Sequence, residues 1–191
     1  LIQFGATIID DEWIFGIYEQ NKNPWKKHNL KPHTNSNSLE TRTARAIVNI
    51  AVGSLEQPRL VDPCCGIGTV VLEALSLAIP VTGYEIRWLI ANQAKGNISY
   101  FNYPQCIVKG DMHTISEIYD VAIIDLPYGL FTSATHQQQK DIMNSSRRIT
   151  KKLVIITSID MDEDIITAGY TIKQRCTVNK GMFVRFVRVC D

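Results

Sequence analysis

The chain has 191 residues, 45% of them hydrophobic and 20% charged, with 20 Lys and Arg against 19 Asp and Glu. That length suits a single domain, the apolar share excludes a disordered chain, and a net charge of +1 excludes a protein that is basic over its whole surface. The longest apolar runs, such as residues 121–124, fall far short of the roughly 18 residues of a membrane span.

In chain order, residues 2–9 and 13–18 read as two strands around the acidic turn Asp10-Asp11-Glu12, a hairpin. Residues 21–38 are polar and punctuated by Pro24 and Pro32, which predicts a long loop. A helix follows. Asn37 or Ser38 caps it, and Leu39, Ala46, Ile47, Ile50 and Ala51 recur on one face, with Arg42 and Arg45 turned away. From residue 59 the pattern alternates, with strands at 59–62, 81–85, 106–109, 120–125 and 153–157 and helices at 66–77, 88–101, 137–149 and 162–168. The closing strands, 170–178 and 183–189, are joined by too short a segment for a crossover and must be antiparallel. The expectation is an α/β fold: a doubly wound, mostly parallel seven-stranded sheet with a terminal antiparallel strand pair. Segment 1–38 is expected as hairpin and linker, and 39–191 as the main domain.

The five cysteines (Cys64, Cys65, Cys106, Cys176, Cys190) are scattered, and neither they nor the four histidines show the spacing of a zinc site. They predict buried free thiols in a reducing, cytoplasmic setting, and no metal. No charged and apolar leader opens the chain, which predicts no secretory signal.

Two motifs carry chemistry. Asp62-Pro63-Cys64-Cys65-Gly66-Ile67-Gly68-Thr69 sits at a strand-to-helix junction, where doubly wound folds bind ligands. Gly66 and Gly68 let backbone approach a ligand closely, and Asp62, acceptor-only when ionised, suits a positive group. Glu85, 23 positions after Asp62, ends the next strand, where an acidic residue holds ribose hydroxyls. Asp111 closes the third strand and either meets an adenine edge or caps the turn after it. Val71 stands where a dehydrogenase fingerprint has its third glycine, which argues against a pyrophosphate dinucleotide and a nicotinamide-dependent oxidoreductase. Carboxylates at three successive strand ends favour a nucleoside cofactor without pyrophosphate. Glu73, inside the first of these helices, reads as structural support.

The second motif, Asp125-Leu126-Pro127-Tyr128-Gly129, follows the fourth strand. An exocyclic base nitrogen is a poor nucleophile because its lone pair is delocalised into the ring. Asp125 and the Leu126 carbonyl can accept its two hydrogens, Pro127 fixes a backbone angle, and Tyr128 offers a stacking face. Such a site works by positioning and electrostatics, without a covalent intermediate.

Together these motifs resemble the class I S-adenosylmethionine-dependent RNA methyltransferases. The chain is similar in particular to the THUMP-associated group that modifies guanine N2 in tRNA, including its loop and helix at Lys31-Pro32-His33 and 39–51. The resemblance implies a Rossmann-like methyltransferase fold and S-adenosyl-L-methionine as cofactor. It assigns Asp62, Gly66 and Gly68 to the methionine end, Glu85 to the ribose, Ile86 to the adenine face and Asp111 to the adenine amine, with Cys64 and Thr69 also among the cofactor-binding residues. Asp125, Leu126, Pro127 and Tyr128 would hold the target amine. The group's usual Asp/Asn-Pro-Pro-Tyr/Phe is here Asp-Leu-Pro-Tyr, with one rigid proline gone. No THUMP module is present in these residues, so an N-terminal RNA-binding domain is expected elsewhere. A similar tetrapeptide serves DNA adenine-N6 or cytosine-N4 methylation, and an inactive RNA-binding module could keep the same fold.

Residues 21–60 carry seven bases (Lys22, Lys26, Lys27, Lys31, Arg42, Arg45, Arg59) against Glu40 and Glu56. Trp25 and His28 are interleaved there, a pairing compatible with phosphate contact and base stacking. Residues 130–137 are the candidate for gripping the flipped target base. Arg147, Arg148, Lys151 and Lys152 read as a helix end.

Overall fold

A computed structural model describes residues 1–20, 22–127, 134–180 and 183–191. The hairpin consists of β1 (Phe4–Ile9) and β2 (Glu12–Ile17). It reverses at Asp10 and Asp11, both at positive φ (51° and 63°), the backbone that matches the twist of a tight two-residue turn. Its register pairs Phe4 with Ile17, Ala6 with Phe15 and Ile8 with Trp13. Directly opposed residues share a face, so one side of the ribbon is apolar throughout.

The polar stretch expected as loop contains a 3-10 helix, Pro24–Leu30. Pro24 at its start has the fixed φ that a helix entry wants. What holds the turn is a buried partner: His28 Nδ1 lies 2.6 Å from Glu73 Oε1, and both side chains are inaccessible. His28 is therefore not available for phosphate or base. Arg45, on α1 (Thr41–Val52), adds its guanidinium to Glu73 at 3.3 Å and bonds the Glu73 carbonyl and Ser76 hydroxyl. Burial lowers the pKa of Lys31, which the Glu73 charge partly offsets. Glu73, an acid in an otherwise apolar helix, thus gathers three elements.

The main sheet runs in the order β5-β4-β3-β6-β7-β9-β8. Its parallel strands are β3 (Leu60–Asp62), β4 (Val81–Glu85), β5 (Ile107–Lys109), β6 (Tyr119–Asp125) and β7 (Thr150–Thr157). The last pair, β8 (Ile172–Lys180) and β9 (Phe183–Cys190), is antiparallel, with β9 inserted between β7 and β8. Helices α2 (Thr69–Ser76), α3 (Trp88–Tyr100), α4 (His136–Ile149) and α5 (Asp162–Thr167) complete the crossovers. β6 and β7 read as near-continuous apolar runs because both faces are covered. One core layer lies under α1, α2 and α3 and a second under α4 and α5. The Arg147 guanidinium sits over the Tyr170 ring at 4.8 Å and Arg148 donates to the His113 carbonyl, so these two arginines serve packing. Arg188, nearly buried, joins Asp162 to β9, and Arg175 bonds the other Asp162 oxygen at 2.7 Å. Burial pushes the Asp162 pKa up, but these two arginines outweigh it and hold it below the usual value. No helix among the described residues is long and apolar enough to cross a membrane.

Candidate functional site

The strand order reverses between β3 and β6, the switch point where doubly wound sheets open a crevice. A cleft of about 700 Å³ lies there, within the roughly 300–1,000 Å³ typical of small-molecule sites.

Its floor is the turn after β3. Asp62 Oδ1 accepts the Cys64 N–H (3.3 Å), and the Cys65 N–H donates to the Tyr84 carbonyl (2.9 Å), tying the turn to β4. Gly66 (φ 52°) and Gly68 (φ 80°) adopt the left-handed backbone that glycine alone takes without strain. Gly68 faces away from the cleft, where an added Cβ would lie 3.4 Å from Ala94 Cβ. It turns the chain into α2 rather than lining the wall. On β4, a Cβ at Gly83 would come within 2.8 Å of Val71 Cγ2 and 3.1 Å of Cys65 Sγ, so the close seat of the turn requires that glycine. The Thr69 hydroxyl, at the start of α2 and 4% exposed, lines the cleft and has no hydrogen-bond partner among the described residues.

The walls bring acids together. Asp62, Glu85, Asp111 and Asp125 all line the cleft, against Arg87 and His113 as cationic or titratable bases. Burial raises the Asp62 pKa well above the carboxylate range; the Cys64 N–H lowers it, and the Asp125 and Glu85 charges raise it further. Burial together with these acids likewise pushes the Cys64 thiol up, so it is a packing group and not a nucleophile. Glu85 Oε1 accepts the Arg87 N–H at 2.8 Å. Asp111 both lines the cleft and caps a short 3-10 turn, Met112–Thr114, by accepting the His113 N–H at 2.9 Å. Ile86 stands at the rim, 58% exposed.

The second motif meets the first across this cleft. Asp125 ends β6, and Leu126 and Pro127 line the same space. Leu126 explains the missing proline: its N–H donates to the Ile156 carbonyl at 3.0 Å, a bond no proline can make, and its side chain is buried. The Pro127 carbonyl accepts from Gln139 on α4 at 3.0 Å. Tyr128 and residues 130–133, half of the 130–137 segment, lie outside the described residues; Ala134 lines the cleft, Thr135 caps α4, and His136 and Gln137 begin it.

Three features escape the sequence reading. Residues 33–39 form a strap over one side of the cleft, contributing Asn35, Asn37 and Ser38 to its lining. Asn97 of α3, fully buried, secures that strap. Its Oδ1 accepts the His33 N–H (2.9 Å), and its Nδ2 donates to the carbonyls of His33 (3.0 Å) and Ile67 (2.9 Å). A polar residue in the buried stripe with Ala94 and Ile98 is the signal that could have revealed it. Arg185 on β9 grips the Asn37 carbonyl at 2.7 Å. Third, Cys176 is exposed, against the expectation of buried thiols, because β8 is an edge strand. Among the described residues no group of three His, Cys, Asp or Glu is placed to hold a metal ion.

A doubly wound sheet with an acid-lined cleft at its switch point defines a class of proteins that bind cationic or nucleoside ligands. The chain belongs to the UPF0020 family, the RMKL-like methyltransferase domain, whose family model matches residues 29–191. It is 24% identical over 144 residues to the tRNA (guanine(10)-N2)-dimethyltransferase of Methanothermobacter thermautotrophicus, a match covering 71% of this chain and 42% of that protein. It is 31% identical over 122 residues to the enzyme of the same name from Pyrococcus abyssi, covering 61% and 36%. The chain thus spans about two fifths of the length of these relatives. Magnesium protoporphyrin IX methyltransferase from Synechocystis, solved with bound SAM, superposes with a TM-score of 0.65 at 15% identity, over 91% of this chain and 86% of that one. At that identity the likeness is one of fold.

Proposed function

We propose that this domain methylates an exocyclic amine of a nucleobase in RNA, with guanine N2 of tRNA as the target, using S-adenosylmethionine. The observation that carries the reading is the meeting of the Asp62, Glu85 and Asp111 carboxylates with Asp125-Leu126-Pro127 in one cleft of a methyltransferase-family chain. The relatives matched in sequence are tRNA guanine-N2 enzymes.

The donor set fits the cofactor. The orphaned Thr69 hydroxyl and the free N–H groups of the first turn of α2 suit its carboxylate. Asp62 suits its ammonium, Glu85 the ribose diol and Asp111 the adenine amine, with Ile86 against the ring. Cys64 and Gly66 shape the space between. When bound, S-adenosylmethionine supplies a methyl group made electrophilic by its sulfonium.

Asp125 would accept a hydrogen bond from the base amine and direct the nitrogen lone pair toward the methyl; as the nitrogen–carbon bond forms and the carbon–sulfur bond breaks to leave neutral S-adenosylhomocysteine, its carboxylate would take the amine proton. The Leu126 carbonyl accepts the second hydrogen. Gln139 and Ile156 hold these groups through Pro127 and Leu126, which is catalysis by preorganised acceptors. Tyr128 offers the face on which the base stacks. The catalytic unit is 39–191, with segment 1–38 ahead of it supplying the strap, and it works in the cytoplasm with RNA recognition shared by a further domain.

The test is calorimetric binding of cofactor, followed by transfer of a tritiated methyl to unmodified tRNA and to DNA. Wild type should label tRNA, and Asp125→Ala should lose at least a hundredfold in rate with cofactor affinity kept. No cofactor binding refutes the reading, and retained transfer by Asp125→Ala refutes the mechanism.

A further inference from the structure

Residues 20–39 and 86–110 hold seven of the chain's 20 Lys and Arg and none of its 19 Asp and Glu. The remainder therefore carries thirteen bases against nineteen acids, so the near-neutral total conceals a strongly divided molecule. The fold joins these two acid-free segments on one surface. His28 meets Phe101 edge-on at 5.0 Å, Lys27 Nζ lies 5.9 Å from the Tyr103 ring centre, and the His33 backbone is clamped by Asn97. Only Lys31 among the seven is buried.

The strip has a direction. It begins at the cleft rim with Ile86, Arg87 and Trp88, the indole being 67% exposed. It follows the outer stripe of α3, where Trp88, Asn92, Lys95 and Ser99 recur at helical spacing. The helix has 13 residues, which is about 20 Å, and it ends at exposed Tyr100, whose neighbour Phe101 packs on His28 of the 3-10 helix that carries Lys26 and Lys27. Lys109 flanks the start from β5. Arg87 is partly neutralised by Glu85 at 3.4 Å, so Lys26, Lys27, Lys95 and Lys109 carry the field. Aromatic rings interleaved with bases along a track from a base-methylating cleft match the two needs of a nucleic-acid strand: phosphate neutralisation and stacking.

We propose that this strip is the track for the RNA strand leading away from the target nucleotide. Trp88 stacks a neighbouring base at the rim, and Lys95, Lys26 and Lys27 neutralise successive phosphates. The proposal rests on the RNA reading for its ligand but stands on binding alone, independent of transfer.

The test uses the full chain and an unmodified tRNA transcript, measured by fluorescence anisotropy across salt. Lys26→Glu/Lys27→Glu/Lys95→Glu should weaken binding more than tenfold at low salt and flatten the log–log salt slope by about 2–3, near 0.7–0.9 per phosphate. A control with the same change of charge, Lys151→Glu/Lys152→Glu/Lys173→Glu, should change affinity less than threefold. Trp88→Ala should cost about fivefold or more with an unchanged slope. Calorimetric cofactor affinity should be the same in all variants. The strip is refuted if control and strip variants lose equally, if wild type binds cofactor but no tRNA, or if polyglutamate displaces tRNA as well as single-stranded RNA does. Failure to bind cofactor instead strikes the methyl-transfer reading and leaves the anisotropy result to judge the strip.

Discussion

Replacing Asn97 by Ala removes three hydrogen bonds at once and strands three main-chain groups: the His33 N–H, the His33 carbonyl and the Ile67 carbonyl. Asn97 and its Ile67 contact are buried, so water does not readily replace the lost amide. A hydrogen bond contributes roughly 1 kcal/mol net, and a buried group left without a partner costs about 1–3 kcal/mol. The variant should therefore lose about 3–5 kcal/mol, a large part of the 5–15 kcal/mol typical of a domain. At roughly 2–4 °C per kcal/mol for a chain of this size, Tm should fall by at least about 6 °C. Asn97→Asp keeps the volume and one acceptor but turns a carboxylate toward two carbonyls, so it should be no better. Thermal unfolding by circular dichroism gives the stability, and calorimetry well below both midpoints gives cofactor affinity. The loosened strap and glycine turn should weaken cofactor binding at least fivefold in protein that is still folded. A Tm within 2 °C of wild type, with affinity within twofold, would refute the clamp.

Other outcomes follow from the same geometry. Gly83→Ala drives a methyl into Val71, Ile107 and Cys65; it should cost about 1–3 kcal/mol by overpacking and lower cofactor affinity, checked by chemical denaturation and calorimetry. The raised Asp62 pKa means that, above pH 3.8, the folded carboxyl keeps a proton the unfolded chain has released. Stability therefore falls as pH rises through that window, and Asp62→Asn should be more stable than wild type at pH 7 while losing the cofactor. Equal stability of the two at pH 7 would contradict the assignment. For wild type, cofactor affinity should rise with pH as the incoming cation draws that proton off, seen as proton release in buffers of different ionisation enthalpy. Among the thiols, Cys176 is exposed, whereas burial pushes Cys106 up to about 11 and Cys190 up to about 12. Brief alkylation at pH 7.5 should mark Cys176 first by mass spectrometry, and equal labelling of Cys190 would overturn its burial.

The alternation of apolar runs and glycine turns was enough to read the sheet, because βαβ units are local and each strand's burial shows in its own composition. The antiparallel close was legible for the same reason: the link between β8 and β9 is too short for anything else. The carboxylates Asp62, Glu85, Asp111 and Asp125 could be picked out because each stands at a strand end, where the fold directs side chains into the crevice. What escaped depends on contacts between distant segments. Nothing local in Pro24–Leu30 announces that His28 will find Glu73, and the polarity of residues 33–38 reads as solvation until Asn97 and Arg185 are seen holding the backbone. The basic strip was half visible for the same reason: its loop portion is contiguous in sequence, whereas α3 joins it only in space.

Because β9 lies between β7 and β8, β8 joins the main sheet only through β9, its partner among the described residues. Until β9 docks, the nine residues of β8, Ile172–Lys180, have no place in the sheet and carry open backbone donors and acceptors. Lys173 and Arg175, within that strand, are the charges that keep such a segment from joining the strands of other nascent chains. The sheet beyond β7 is thus completed by one docking event, and any folding intermediate that lacks β9 leaves β7 as an open apolar edge.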